Sequence, residues 1–198
     1  QQARDAAEAI AVDYDELPAV PDIASATAAG AHAICPEVPD NIAAEARHGD
    51  AAAAEAAFAK ARHVVSMEAL HQRLVALSIE PRTVLAWMAE DGRLTVRMST
   101  QMPSGVRDAL VATLPGLKRD QARVVVGDVG GGFGMKTGIY PEDCVVAWAA
   151  LKLRRNVKWV GERGEEFLSS PNGRDIETRA EMALDANGRV LGLKIRTL

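Results

Sequence analysis

The chain has 198 residues, 48% hydrophobic, 25% charged and only 4% aromatic, with a formal net charge of −4. That length suits one domain, or one plus part of a second, and can bury a core without metal or disulfide staples. The acidic balance argues against a nucleic-acid footprint, which needs a basic patch, and no apolar run approaches the roughly 18 residues that span a bilayer.

Alanine supplies 36 residues, 23 of them within the first 61 positions. Alanine buries little area, so the core is expected from about residue 62 onward. Residues 1–20 alternate weakly around Ile10, Val12 and Tyr14 and read as one last strand of a preceding domain. Residues 21–50 carry Pro21, Gly30, Pro36, Pro39 and Gly49 without a sustained period and read as a connector. DAAAAEAAFAKA (50–61) predicts a short helix with Asp50 as N-cap and Phe58 as its one large anchor. From His63 the β-branched start and the Glu80-Pro81 stop favour extended structure. TVLAWMAE and RLTVRMST flank Asp91-Gly92, a hairpin signal. PSGVRDALVATL predicts a helix with Pro103 in its first turn. ARVVVGDV (122–129) reads as a buried strand and is followed by a glycine-rich loop. EDCVVAWAALKL predicts a helix with acids at its start, where the macrodipole favours them. NVKWVG reads as a strand, 162–173 as a loop, and 174–198 as a hairpin turning at Asn187-Gly188. The sum is an α+β fold: a mixed sheet of six or seven strands, with two main helices that follow strands.

Cys35 and Cys144 stand far apart, each without a neighbouring second cysteine. They read as two unlinked thiols packed as small hydrophobes, in keeping with a reducing cytoplasm. His32, His48, His63 and His71 lack any zinc-ligand spacing. No nucleophile elbow or Cys/His pairing is present, and no two carboxylates stand out as an acid/base pair.

Gly130-Gly131-Gly132-Phe133-Gly134 is the most informative segment. Consecutive glycines allow close backbone approach and expose N–H groups suited to an oxyanion or phosphate. The dinucleotide fingerprint fails because Met135 stands where glycine is needed, and the P-loop spacing fails at Lys136. A tight turn with a bulge remains the plain alternative. A large ring between glycines, however, suggests Phe133 set against a flat ligand. Ser99-Thr100-Gln101 lies between a strand and a helix. Gln101 there offers one donor group and one acceptor, the alternative being a capping cluster. Glu80-Pro81-Arg82 reads as a turn with an exposed ion pair. Glu162, Arg163, Glu165 and Glu166 read as a solvated face.

In order, VDYDELPAVPD, GDAAAAEAAFAKARHVV, IEPR, STQMP, GDVGGGFGMK, YPED and VKWVGERGEEF resemble the molybdopterin-binding large subunit of the xanthine dehydrogenase / aldehyde oxidase / carbon monoxide dehydrogenase family. The resemblance covers essentially the whole chain. It implies an internal segment of a longer subunit. Residues 1–20 would end a preceding α/β hammerhead domain, 21–61 would be a linker, and 62–198 would form the N-terminal part of the molybdenum-cofactor-binding domain. The family's glutamine beside the metal's oxo ligand matches Gln101, and its loop against the molybdenum site matches Gly131, Gly132, Phe133 and Gly134. No side chain would ligate the metal, which a pterin, in its cytosine dinucleotide form, would hold.

The implied activity is oxidative hydroxylation of an aldehyde or N-heterocycle, with water as oxygen source. Electrons would pass to Fe–S and FAD partner subunits. The remaining C-terminal part of the same subunit would be a further partner and would carry the general-base glutamate. The segment alone would then be inactive. Thr137 follows Lys136 where purine-oxidising members carry glutamate, which argues against a purine. Bulky Met135 would reshape the pocket wall. A noncatalytic interaction module that retains the scaffold is the alternative. The resemblance implies a small-molecule substrate; the acidic balance and the lack of a spanning run argue for neither nucleic-acid nor membrane partners, and the sparse cysteines for a cytoplasmic location.

Overall fold

A computed structural model describes all 198 residues. Its elements are α1 (Gln2–Glu8), α2 (Ile23–Ala26), α3 (Ala51–Ala59), β1 (His63–His71), β2 (Leu74–Val75), β3 (Thr83–Met88), β4 (Leu94–Met98), α4 (Pro103–Thr113), β5 (Ala122–Val125), α5 (Pro141–Leu153), β6 (Val157–Val160), α6 (Arg163–Ser169), β7 (Asn172–Gly173), β8 (Ile176–Leu184) and β9 (Val190–Thr197). The chain divides into two compact units, Gln1–His71 with Asp175–Leu198, and Gln72–Arg174. The mixture of sheets and helices is the α+β architecture that the sequence leads one to expect.

The first unit is built on an antiparallel sheet in the order β1-β8-β9. Asp185, Asn187 and Gly188 make the turn of its hairpin: the Asp185 carboxylate accepts from the Asn187 and Arg189 backbone N–H groups, and Gly188 has φ +80°. Asp50 caps α3 by accepting from Ala53 N at 2.9 Å. The helix lays Ala57 and Phe58 against β9 where Gly192 leaves room for them. Lys194 lies over the Phe58 ring and pairs with Glu55 at 2.7 Å. No residue of 1–61 is buried, as small alanine side chains lead one to expect. The strand expected in 1–20 is not there. Gln2–Glu8 is a helix of good helix formers, and Ile10, Val12 and Tyr14 are exposed and pair with no neighbouring strand.

The second unit holds the core. Its sheet runs β5-β4-β3-β6; β3 is antiparallel to β4 and β6, and β4 is parallel to β5, the two joined by α4. Alternation places Val84 and Ala86 of β3, with Leu94, Val96 and Met98 of β4, on one face. Val106, Leu110 and Leu114 of α4 and its end cover that face, with Val146, Ala147 and Ala150 of α5. Each fully buried Val or Leu contributes about 2 kcal/mol, so this layer fixes the sheet. The Asp91-Gly92 turn joins β3 to β4, with Gly92 at φ +81°. β5 stops at Val125, short of the expected residue 129.

Two expectations need correction. Residues 162–173 are not a loop: Arg163–Ser169 is a helix whose first turn is closed by the Glu165 carboxylate accepting from Glu162 N at 2.6 Å. Its charges are not simply a solvated face, because Glu166 is 1% exposed. The Glu80-Pro81-Arg82 turn does not pair its own charges. Arg82 is buried, its guanidinium stacked 3.7 Å from the Tyr140 ring centroid. Glu166 accepts from Arg82 N and lies 3.8 Å from Arg82 Nε.

Candidate functional site

The glycine loop is placed by the end of β4 and the start of α4. After Met98 the chain leaves the sheet, and the Thr100 hydroxyl donates to Lys136 O at 3.0 Å and accepts from Met102 N at 3.1 Å. Gln101 N donates to Lys136 O at 2.9 Å. The same glutamine's Oε1 accepts from Gly134 N at 3.1 Å. The structure therefore brings Gln101 and the loop together, as one wall.

Glycine at 132 is demanded by contact. A Cβ there would lie 2.4 Å from Gln101 Oε1, so any other residue displaces the amide. Gly131 and Gly134 both have positive φ, +103° and +91°. Between them Phe133 sits at φ +49°, a conformation that a bulky residue rarely adopts. Its ring passes over Gly131 and is 72% exposed. With its oxygen engaged by Gly134, Gln101 presents its Nε2 hydrogens as donors.

Met135 is one of the residues that line the cleft beside the loop, although little of it is accessible. It is buried, with its sulfur 3.8 Å from Ser78 Oγ. The Thr137 hydroxyl donates to Gly134 O at 2.7 Å, so it is engaged within the loop. Beside the loop is a cleft of about 460 Å³ lined by Leu74, Val75, Phe133, Gly134, Thr137 and Arg174, among others.

Sequence reasoning missed what stands behind the loop. Lys136 is 2% exposed, and its Nζ donates to Glu80 O at 2.9 Å, Glu80 Oε2 at 3.1 Å and Ser99 Oγ at 2.8 Å. Glu80 Oε2 also accepts from Ser99 Oγ and Gly130 N, both at 2.7 Å. Burial works to raise the Glu80 carboxyl, but the hydrogen bonds from Ser99, Gly130 and Lys136 outweigh it and hold it below the ordinary carboxylate range. Arg163 secures the same segment by donating to Ser78 O and Ile79 O, each at 2.8 Å. Opposite charges in two irregular segments, Glu80 and Lys136, were the only available signal.

Burial raises Asp143, in the first turn of α5, from 3.8 to about 6, although it accepts from Tyr140 N at 2.9 Å. Cys35 and Cys144 are unlinked, but Cys35 is exposed and does not pack as a small hydrophobe. No group of three or more His, Cys, Asp or Glu side chains is arranged to hold a metal ion, and no helix is long and apolar enough to cross a membrane.

Residues 34–198 match the family model described as the molybdopterin cofactor-binding domain. The chain is 34% identical to the carbon monoxide dehydrogenase large chain of Hydrogenophaga pseudoflava, over 99% of this chain and 26% of that protein. It is 32% identical to the nicotine 6-hydroxylase large subunit of Paenarthrobacter nicotinovorans, over 99% of this chain and 24% of that protein. A crystal structure of a Cu,Mo-CO dehydrogenase superposes with a TM-score of 0.85 at 29% identity, covering 98% of this chain and 26% of the other. The chain thus spans about a quarter of the length of the curated relatives it matches.

Proposed function

The chain belongs to the molybdopterin cofactor-binding domain family of molybdenum hydroxylase large subunits, and from that premise we propose that the protein takes part in oxidative hydroxylation of an aldehyde or N-heterocycle. In this reading, residues 62–198 are the first part of the cofactor-binding domain. Residues 1–20 end a preceding small domain, and 21–61 link the two. The rest of the subunit, an Fe–S subunit and an FAD subunit are the partners.

The residues present fit a molybdenum–pterin group. The cradle at Gly132, which a Cβ would fill, leaves the Gln101 amide against the loop, with its nitrogen free to donate. That is a neutral donor set suited to an anionic oxygen, and it asks for no protein ligand to the metal. When bound, the group would supply the redox chemistry, with water as oxygen source. Gln101 would donate to it from a preorganised position and stabilise charge that develops there. Gly131, Gly132 and Gly134 would keep side chains out of the approach, and Phe133 would present its exposed face to the cleft.

The Leu74, Val75 and Phe133 lining supports a flat substrate, with Arg174 the charged group at the cleft. With a hydroxyl at position 137 already engaged by Gly134 O, the loop has no carboxylate there to meet a purine.

The observation that carries this reading is the Gln101–Gly134 hydrogen bond across a glycine-only gap. Its test is metal and pterin analysis of the intact protein, followed by dye reduction with N-heterocycles, aldehydes and carbon monoxide. About one molybdenum and one pterin dinucleotide per chain are expected, with turnover of a heterocycle or aldehyde. An intact protein free of both would sink the reading and favour a noncatalytic module. Turnover of carbon monoxide alone would overturn the substrate class.

A further inference from the structure

We infer that Glu80 and Lys136 are positioning residues: together with Ser99 they form a clamp that sets the height of the Gly130–Gly134 backbone against Gln101. This rests on the proposed role of Gln101 and the loop, and it adds residues that stand behind the loop.

Both ends of the loop return to Glu80. At the entry, Gly130 N donates to Glu80 Oε2 at 2.7 Å and Glu80 N donates to Gly130 O at 3.2 Å. The approach is so close that a Cβ on residue 130 would lie 2.5 Å from Glu80 Cβ. At the exit, Lys136 donates to the Glu80 carbonyl and carboxylate. An ammonium has three donors, and all three are used here, the third on Ser99 Oγ. Ser99 closes the ring by donating to Glu80 Oε2.

A lysine this buried is costly unless every donor is matched. A residue of the sheet core would not need this chemistry, because methyl groups do that work more cheaply. What a charge network adds is direction. It fixes the two ends of a segment whose middle residue, Phe133, is held at φ +49°, and strain of that kind persists only where the surroundings over-determine it. Gln101 sits between the two anchors, with its backbone N–H on Lys136 O and its Oε1 on Gly134 N. Moving the clamp therefore moves the amide and the loop together.

The test uses the full-length protein, with Glu80→Gln, Lys136→Met and the double variant. Glu80→Gln keeps an acceptor for Gly130 N but loses the charge that faces Lys136. The first readout is amide hydrogen exchange. Exchange at Gly130 and Gly134 should rise by about tenfold or more in either single variant, while amides of β3, β4 and α5 keep their protection. The double variant should match the worse single, because both remove one device. The second readout is steady-state kinetics, in which kcat should fall by roughly 10²-fold with KM moving far less.

Unchanged exchange at Gly134 in both singles would overturn the inference. So would exchange that rises equally through β3 and β4, because that is a loss of fold and not of position. A loosened loop with unaltered kcat would overturn it as well. Should Lys136→Met not fold, the milder Glu80→Gln carries the same outcomes. Amide exchange is read whether or not the protein holds molybdenum, so failure of the clamp and failure of the cofactor reading are told apart.

Discussion

The sheet core and the glycine loop share one unit, yet opposite forces hold them. Val84, Ala86 and Val96 of β3 and β4 meet Val106, Leu110 and Ala147 of the helices, all buried and apolar. Behind the loop the contacts are Glu80, Ser99 and Lys136, and beside it Arg82, Arg163 and Glu166. Apolar packing is non-directional and tolerates small shifts. Hydrogen-bonded charges specify angles as well as distances. The layer that carries the core is made of the first kind, and the glycine-loop segment is held by the second.

Removing charge from the polar side should have the largest effect on stability. Glu166 is buried between Arg82 and Arg163, 3.0 Å from Arg163 NH1. Glu166→Ala leaves the buried Arg82 N without its acceptor and removes one of the two carboxylates near the Arg82 guanidinium, the other being Glu142 at 3.5 Å, and a cost of about 4 kcal/mol is expected. Chemical denaturation would show it. A loss below about 1 kcal/mol would mean that water replaces the carboxylate and that the network is ornamental.

On the apolar side, Leu110 is fully buried under the sheet. Leu110→Ala should cost about 3 kcal/mol through lost burial and the cavity left behind. Exchange at Gly130 and Gly134 should rise only as far as global unfolding demands. A selective rise at the loop would show that the two regions are not separately supported.

Those regions also differ in how far the sequence discloses them. Periodicity marks β3, β4, α4 and α5, because one face of each is apolar at a fixed spacing and Asp91-Gly92 and Pro103 punctuate them. The β8–β9 hairpin is marked by Asn187-Gly188 in the same way. Gln101 and the glycine run are visible as residue types, but the contact between them is not. It depends on a missing Cβ at 132 meeting an amide from another segment. The clamp has no local signature at all, since Glu80 and Lys136 are distant in sequence and neither belongs to a periodic element. Arg82 and Glu166 mislead for a related reason: charges read as solvated unless a tertiary partner is known. α6 escapes because a seven-residue helix with one buried face residue has too short a period to detect.

Two carboxylates sharpen the contrast through pH. Asp143 packs at the base of α5, and its carboxyl is raised from 3.8 to about 6 by burial. The folded state then binds the proton more tightly than the unfolded chain. Its contribution to stability is complete below about pH 3.8 and is lost as pH rises through about 6. The size is on the order of 3 kcal/mol. Glu80 has the opposite sign. Its carboxyl is lowered from 4.5, so its contribution is present above that value and is lost as pH falls through the lower folded value. Asp143→Asn should therefore flatten the decline in stability between about pH 4 and 6. Glu80→Gln should leave that decline in place and remove a loss at lower pH. Thermal unfolding across pH 3 to 8 reads both. An unchanged slope in Asp143→Asn would mean that the carboxyl is solvated in the fold.

The smallest expected change in stability is at Gly132. An added methyl would meet Gln101 Oε1, Cδ and Cγ at 2.4 to 2.7 Å, all atoms of an exposed side chain that can swing away. Gly132→Ala should then cost only about 1 kcal/mol, far less than a change in the core. The same swing breaks the bond from Gly134 N and turns the Gln101 donor out of line. Turnover should fall by about 10²-fold, the order expected when a preorganised donor is lost. A variant with native stability and native turnover would show that the amide need not stand where the loop holds it. A variant with native stability and lost turnover would separate the two regions most sharply, because the substitution touches none of the contacts that keep the sheet folded.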